Sequence, residues 1–247
     1  MTFKDHFSER AAEYARFRPR YPDELFRALA DLAPGYRLAW DCGTGNGQAA
    51  VGLAAHFDRV AATDPSAEQL AHAEAHPNVE YRRGLESESG LGSASADLVT
   101  AAQALHWFDA HAFYAEARRV LRPGGIVAVW CYNLPRIDPA LDRLLDRFSD
   151  ETVGPYWDPE RQHVREGYRD LPFPFTELPF PACAMQRQVL LADMAGYLDT
   201  WSSVRRYRQK VGRDPVAPFV AELASVWGDG SRPRTLRWPL TGRVGKT

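Results

Sequence analysis

Residues 37–64 have the sequence RLAWDCGTGNGQAAVGLAAHFDRVAATD. They begin with a short apolar run that ends at Asp41, pass through three alternating glycines into an Ala-rich segment, and close with a second apolar run that ends at Asp64. This order predicts a strand, a tight turn, a helix over 48–57 and a second strand. Two short apolar strands joined by a helix favour a parallel sheet that is covered on both faces.

The same alternation continues as far as residue 131. The sequence predicts further strands over 78–83, 97–103 and 126–131, and helices over 66–75 and 109–121. Residues 86–96, ESESGLGSASA, predict a flexible surface connection because they are rich in Ser and Gly. We therefore predict an α/β fold, a doubly wound and mostly parallel sheet with helices on both faces.

The pattern changes after residue 131. Apolar spacing predicts an amphipathic helix over 138–148 and further helices over 193–207 and 215–227. Residues 171–182 carry four prolines, which favour an irregular extended segment packed on the domain. Residues 235–240 predict an edge strand, because Pro239 would interrupt the hydrogen bonding of a central one.

Composition excludes several classes of function. The 30 basic and 32 acidic residues give a formal net charge of −2, so no overall basic field favours nucleic acid. Cysteines 42, 131 and 183 are far apart and form no CxxC pair, which argues against a disulfide framework or a thiolate metal site. No apolar run is long enough to span a membrane, and the N-terminus lacks the apolar core of a signal peptide. We expect a cytoplasmic protein that binds no metal, membrane or nucleic acid.

The glycine motif DCGTGNG, residues 41–47, carries the strongest chemical signal. Glycines at a strand-to-helix turn allow a ligand to approach the backbone closely. A dinucleotide site would need glycine at position 48, where this chain has Gln48, and no Lys-Ser/Thr follows to make a phosphate-binding P-loop. The pattern of an acid, one further residue and then G-x-G-x-G resembles the first motif of class I S-adenosylmethionine-dependent methyltransferases.

Four other segments extend this resemblance. Residues 97–108 resemble the fourth-strand motif of these enzymes, and residues 116–125, EARRVLRPGG, resemble the turn before their fifth strand. Residues 7–22 resemble the cofactor-covering helix of the small-molecule "type 11" branch, which includes trans-aconitate methyltransferase-like proteins. Residues 197–202, YLDTWS, are similar to the variable cap of that branch.

The resemblance implies one methyltransferase domain over residues 1–247. Within it we expect N-terminal helices in 1–34, one of them covering the cofactor, and a cofactor-binding core in 35–132. A helical cap insertion in 133–230 would choose the acceptor, and a closing strand would lie in 231–247.

The resemblance also implies S-adenosylmethionine as the cofactor, with S-adenosylhomocysteine as the product. Asp64 stands where a carboxylate can accept both hydroxyls of a ribose, with capping of the next helix as the alternative. Asp41 would organise the loop and meet the amino-acid part of the cofactor, or would simply cap a helix. The residues assigned to cofactor binding are Tyr14, Arg18, Asp41, Gly43, Thr44, Gly45, Asp64, Pro65, Leu85, Glu86 and Gln103.

The acceptor site is expected near the ends of the first and fourth strands. His106 is the candidate catalytic base because the intrinsic pKa of histidine lies near neutrality, although a histidine that only fixes the loop is an equal alternative. Trp107, Trp201 and Arg205 are candidate residues of the substrate pocket. Arg205 or Arg206 would bind a carboxylate on the acceptor, or would lie on a solvated helix face.

The function indicated by these residues is methyl transfer from S-adenosylmethionine to a small molecule, by a monomer or a homodimer. One alternative is a non-catalytic regulatory protein that binds S-adenosylmethionine. Another is a nicotinamide-dependent reductase, which Gln48 disfavours.

Overall fold

The computed structural model of the chain describes residues 19–247. Its strands are β1 (Ala39–Cys42), β2 (Val60–Asp64), β3 (Val79–Arg83), β4 (Ala96–Ala102), β5 (Leu121–Tyr132), β6 (Thr176–Leu178), β7 (Ala184–Val189) and β8 (Arg234–Lys246). Its α-helices are α1 (Asp23–Leu32), α2 (Gln48–Ala54), α3 (Ala67–Ala71), α4 (Ala110–Val120), α5 (Pro139–Arg147), α6 (Arg161–Arg165), α7 (Leu191–Asp199), α8 (Ser202–Val211) and α9 (Val216–Trp227). No helix among these is long and apolar enough to cross a membrane.

The strands form one sheet in the order β3-β2-β1-β4-β5-β8-β6, and β7 pairs with β8. Strands β1 to β5 are parallel, and β8 runs antiparallel to β5. The predicted α/β architecture with a mostly parallel sheet is therefore confirmed. The strand order reverses between β1 and β4, and ligands of such sheets bind at the carboxyl ends of the strands beside that point.

Two hydrophobic layers cover the sheet. One face packs against α1, α2 and the helices that follow β5, through residues such as Leu29, Leu53 and Leu145. The other face packs against α4 through Phe113 and also buries Trp40. Burial on both faces explains why β1 and β2 have apolar sequences without alternation. Most of the predicted covering helix, residues 7–18 of 7–22, falls outside the described residues, and residues 19–22 are not helical.

The edge strand predicted over 235–240 is confirmed as the first part of β8, where residues 235–239 have β7 as their one neighbouring strand, but β8 continues beyond the predicted end. Strand β8 is 13 residues long, and its second half lies between β5 and β6. Pro239 pairs only with Ala184 of β7, and the pairing with β5 begins one residue later, where Leu240 meets Tyr132. The missing N–H of Pro239 therefore falls where β8 has a single neighbouring strand, which is where a sheet tolerates proline.

The helix predicted over 193–207 is two helices, α7 and α8. The first ends at Asp199, and the hydroxyl of Thr200 donates a hydrogen bond to the Tyr197 carbonyl oxygen at 2.6 Å. Such a bond offers the backbone an alternative to continuing the helix. Trp201 then adopts an extended conformation, which turns the chain into α8.

The connection from β3 to β4 is more ordered than its Ser/Gly-rich composition indicates. Ser89 is buried, and its N–H and hydroxyl both donate to the Glu116 carboxylate, at 2.9 and 2.5 Å. Leu91 is also buried against the face of the sheet that α4 covers. The predicted surface connection without a helix or strand is confirmed, but α4 supplies hydrogen-bond partners for it that lie far away in the sequence.

Gly242 marks the closest approach of β8 to β5. A Cβ atom on Gly242 would lie 2.2 Å from the Val129 carbonyl oxygen and 2.8 Å from the Trp130 Cα. Because backbone atoms of a central strand cannot move aside, we expect Gly242→Ala to lower the free energy of unfolding by about 2–3 kcal/mol in urea denaturation. Gly92→Ala is the control, since a Cβ there meets no heavy atom within 4 Å. Equal losses in the two variants would contradict the expected steric cause.

Candidate functional site

The glycine loop joins β1 to α2 at the carboxyl end of the sheet. A Cβ on Gly43 would lie 2.7 Å from the Ala104 Cβ, and a Cβ on Gly47 would lie 2.2 Å from the Tyr81 hydroxyl. Both glycines also have positive φ, so they hold the loop close against its neighbours. At Gly45 the nearest heavy atom to such a Cβ is 3.8 Å away, which leaves room above the backbone. Gly45 is therefore the position where a ligand can approach the loop.

Asp41 lies beneath this loop and is fully buried. Its two carboxylate oxygens accept hydrogen bonds from the hydroxyls of Thr44, at 2.6 Å, and Thr100, at 2.7 Å. The N-cap of α2 is Gly47, which has no side chain to cap the helix, while the buried Asp41 carboxylate accepts a hydrogen bond from the backbone of Ala50 in the first turn of that helix. Asp41 and Thr44 thus organise the loop through each other, and burial raises the pKa of Asp41 to about 6.

This raised pKa predicts a pH-dependent stability. The folded state favours protonated Asp41, so that contribution is complete below about pH 4 and disappears as the pH rises through about 6. Asp41→Asn removes the titration. We expect the unfolding free energy of the wild type to fall by about 2.4 kcal/mol relative to the variant between pH 4 and 7 in urea denaturation. Parallel pH curves for the two proteins would show that Asp41 titrates normally.

Asp64 ends β2 beside the open position of the loop. Its carboxylate accepts hydrogen bonds from the N–H groups of Gly45, at 2.9 Å, and Ser66, at 2.8 Å. The cap of α3 is Ser66, whose hydroxyl accepts from the Gln69 N–H, so the capping alternative for Asp64 is wrong. Two backbone hydrogen bonds fix the carboxylate at the rim of the loop.

Leu85 and Glu86 continue the rim beyond β3. The backbone N–H of Gly84 donates to the Asp64 carbonyl oxygen at 3.2 Å, which places the following residues next to Asp64 and Pro65. Leu85 is 50% exposed, which is high for a large apolar side chain. The Glu86 carboxylate accepts a hydrogen bond, 3.1 Å long, from the backbone N–H of Asp109, the residue before α4. This contact fixes the start of that helix. The rim thus offers an exposed apolar surface beside a carboxylate.

Gln103 lies at the end of β4 with a positive φ of 55°. Its side-chain N–H donates to the Tyr132 carbonyl oxygen at 3.0 Å, and its side-chain oxygen accepts from the Tyr132 N–H at 3.2 Å. The amide of Gln103 therefore extends the pairing of β4 and β5, and its polar atoms are engaged with the backbone.

His106 lies on a short 3₁₀ turn, Leu105–Trp107, which follows β4. Its Nδ1 is 3.0 Å from the hydroxyl of Tyr168, a fully buried residue with a positive φ of 64°. Burial lowers the pKa of His106 to about 3, and the charges of Arg161 and His163 add to this effect. His106 is therefore neutral at physiological pH and a weak proton acceptor, which favours a hydrogen-bonding role over general base catalysis.

Arg161 begins α6, which packs against the turn that carries His106. Its guanidinium lies 3.7 Å from the centroid of the Trp157 ring, and its Nη2 donates to the Asn133 side-chain oxygen at 2.5 Å. Asn133 directly follows β5. The ring and the amide together orient a guanidinium at the carboxyl ends of β4 and β5.

The cap helix α8 adds a second arginine on this side. Arg206 forms an ion pair with the buried carboxylate of Asp158, whose charge acts on His106. Trp201 is only 3% exposed and packs 5.4 Å from the Trp157 ring, so it supports the pocket from behind. Of the two arginines considered for acceptor binding, Arg206 is thus linked to the surroundings of His106 through Asp158.

The predicted residues fall into two groups at this end of the sheet. The loop group contains Asp41, Gly43, Thr44, Gly45, Asp64, Pro65, Leu85 and Glu86, and the turn group contains Gln103, His106 and Trp107. Tyr14 and Arg18 lie outside the described residues. Within residues 19–247, no group of three His, Cys, Asp or Glu side chains is placed to hold a metal ion.

Four residues beside His106 are not among those predicted from the sequence, namely Asn133, Trp157, Arg161 and Tyr168. They lie in a segment that matches no motif. One local signal was available, because Trp157 and Arg161 are four residues apart, a spacing at which an aromatic ring and a guanidinium can meet.

Comparisons with known proteins show the family of this chain. A sequence model of the family "Methyltransferase domain" matches residues 40–129. The chain is 36% identical to a Dictyostelium discoideum protein named, by inference, as a methyltransferase; the match covers 89% of this chain and 85% of that protein.

A solved structure from Anaeromyxobacter dehalogenans, named by inference as a type II methyltransferase, is 45% identical. It superposes with a TM-score of 0.89, covering 93% of this chain and 98% of that one. A Saccharomyces cerevisiae protein named as an S-adenosylmethionine-dependent methyltransferase is 29% identical over 137 residues, which are 51% of this chain and 46% of that protein. The chain therefore belongs to the class I S-adenosylmethionine-dependent methyltransferases.

Proposed function

We propose that this chain transfers a methyl group from S-adenosylmethionine to a small-molecule acceptor. The observation that carries the proposal is the contact between Asp64 and the Gly45 N–H, which places a fixed carboxylate at the open part of the glycine loop. Bound S-adenosylmethionine supplies an electrophilic methyl group on a sulfonium centre. The chain's own task is to bind this cofactor, orient the acceptor and exclude water.

The residues of the loop group fit the chemistry of such a cofactor. Asp64 would accept the hydroxyls of the ribose, and the exposed side chain of Leu85 would cover a flat apolar ring. Gly45 leaves the space that a ligand needs above the loop. Asp41 lies directly beneath and would favour a positively charged amino group nearby.

The turn group and the cap would hold the acceptor. Arg161 is oriented by Trp157 and Asn133, and a guanidinium pairs with a carboxylate through two parallel hydrogen bonds. We therefore propose an acceptor that carries a carboxylate, with Arg161 as its partner and Trp107 as a wall of the pocket. Such an acceptor would also agree with the resemblance to trans-aconitate methyltransferase-like proteins.

His106 would orient the acceptor rather than remove its proton. Because its pKa is about 3, His106 stays neutral from pH 5.5 to 8.5, and kcat at saturating concentrations of both substrates should carry no titration due to this residue. The check is to compare the pH profiles of the wild type and His106→Gln. A midpoint near 6.5 that is present in the wild type and lost in the variant would establish His106 as the base.

Thermal unfolding with added ligands tests the cofactor assignment. S-adenosylhomocysteine at 100 times its Kd should stabilise the protein by about 2.7 kcal/mol, and Tm should rise with ligand concentration. NADH and NADPH serve as controls and should leave Tm unchanged. A rise of Tm with a nicotinamide nucleotide, and none with S-adenosylhomocysteine, would overturn the proposal.

A further inference from the structure

A groove of about 460 Å³ lies at the amino end of the sheet, opposite the glycine loop. It is bordered by the residues that precede β1 and β2, by β3 and by the start of β5. The connection from β3 to β4, residues 84–95, contains no helix and forms one side of the groove. A ligand in this groove and a cofactor on the glycine loop would therefore lie at opposite ends of β1.

Four arginines from four separate segments line the groove, and none of its lining residues is acidic. They are Arg37, Arg59, Arg82 and Arg122. Two carboxylates pair with them from outside the lining. Asp97 lies 3.0 Å from Arg122, and Glu80 lies 2.7 Å from Arg82 and 3.8 Å from Arg59. Four positive charges against two negative ones leave an excess of two positive charges at the groove.

The floor and the mouth of the groove leave room for a ligand. Leu38 and Leu91, both more than nine-tenths buried, form an apolar part of the lining. Gly90 and Gly92 on the bordering connection place no side chain in the opening. A Cβ on Gly92 would meet no heavy atom within 4 Å, so the space beside this residue is open.

The bordering connection is held in place by α4. The Arg119 Nη2 donates to the Leu91 carbonyl oxygen at 2.7 Å, and the Ser95 N–H donates to the Val120 carbonyl oxygen at 2.8 Å. Together with the bonds from Ser89 to Glu116, these contacts fix the middle and the end of the segment. A ligand would therefore enter a groove that is already formed, which lowers the entropic cost of binding.

We propose that this groove is a second ligand site, which binds a small molecule carrying at least two negative charges, such as a phosphate ester or a polycarboxylate. Guanidinium groups pair with phosphate and carboxylate through planar, two-point hydrogen bonding. The volume lies within the range of small-molecule sites in proteins, about 300–1,000 Å³. The excess positive charge selects the sign of the ligand, and the distance from the glycine loop separates this site from the one proposed for methyl transfer.

Isothermal titration calorimetry with pyrophosphate and with citrate tests the proposal at constant ionic strength. We expect saturable binding of at least one probe with a stoichiometry of one, and the tighter probe assigns phosphate or carboxylate. The double variant Arg37→Gln/Arg82→Gln should weaken that binding at least tenfold. Gly92→Glu should weaken it to a similar extent, because it adds a negative charge at the mouth, and Gly92→Gln is the neutral control of the same size.

Wild-type affinity in both Arg37→Gln/Arg82→Gln and Gly92→Glu would overturn the proposal, as would the absence of saturable binding for both probes. Thermal unfolding without ligand verifies that each variant is folded. Because the readout is direct binding of an anion, it does not depend on whether the chain binds S-adenosylmethionine.

Discussion

Asp64→Ala should weaken the binding of S-adenosylhomocysteine by about 100-fold or more, measured by isothermal titration calorimetry. The carboxylate would accept two ribose hydroxyls, and hydrogen bonds to a charged group contribute about 1.5–3 kcal/mol each. The same substitution leaves the N–H groups of Gly45 and Ser66 without their acceptor, which loosens the loop as well. Both effects act in the same direction.

Two further variants separate these effects. Asp64→Asn keeps an acceptor oxygen and the shape of the side chain, so we expect a smaller loss of about tenfold. Asp58→Ala removes an exposed acid at the opposite end of β2 and should leave the affinity unchanged. Wild-type affinity in Asp64→Ala would remove Asp64 from the cofactor site.

Arg161→Gln should lower kcat/KM for the acceptor by about 100-fold while the affinity for S-adenosylhomocysteine stays the same. Removing one partner of a hydrogen-bonded charge pair costs about 2–5 kcal/mol, and 100-fold corresponds to about 2.7 kcal/mol. Arg161→Lys keeps the charge but loses the two-point geometry and the stacking on Trp157, so about a tenfold loss is expected. The measurement is steady-state kinetics with an acceptor identified by product formation.

Arg165→Gln is the matched control for this prediction. Arg165 lies on the same short helix, α6, but is exposed and pairs with Asp150 at 3.1 Å. Its substitution should leave kcat/KM within about twofold of the wild type, since isolated surface ion pairs contribute about 0–1 kcal/mol. Equal losses in Arg161→Gln and Arg165→Gln would assign the effect to the helix and contradict a contact with the acceptor.

Features that depend on neighbouring residues could be predicted from the sequence. The β1–loop–α2–β2 unit follows from apolar runs, glycines and helical composition that lie within 28 consecutive residues. Asp41 and Asp64 could be located for the same reason, because Asp41 is the last residue but one of β1 and Asp64 is the last residue of β2. Parallel pairing then brings the carboxyl ends of β1 and β2 to one edge of the sheet. The cofactor side of the site therefore follows from the local sequence pattern.

Features that depend on distant contacts could not be predicted. Ser89 lies in a Ser/Gly-rich segment but is ordered by Glu116, which is 27 residues away. Pro239 indicated an edge strand, but the continuation of β8 into the sheet depends on its pairing with β5 and β6, which lie far away in the sequence. The surroundings of His106 depend on Tyr168, which is 62 residues further on. Neither the hydropathy nor the periodicity of the sequence around Tyr168 indicates that this residue is buried.

The central claim is that the chain transfers a methyl group from S-adenosylmethionine to a small carboxylate-bearing acceptor. The most direct measurement incubates the purified protein with S-adenosylmethionine and pools of small carboxylic acids, and quantifies S-adenosylhomocysteine and methylated product by mass spectrometry. We predict equal molar amounts of the two products from at least one pool, with the yield lost in Asp64→Ala. Saturable binding of S-adenosylmethionine with no S-adenosylhomocysteine above the acceptor-free rate, in these pools and in a wider metabolite set, would contradict the claim.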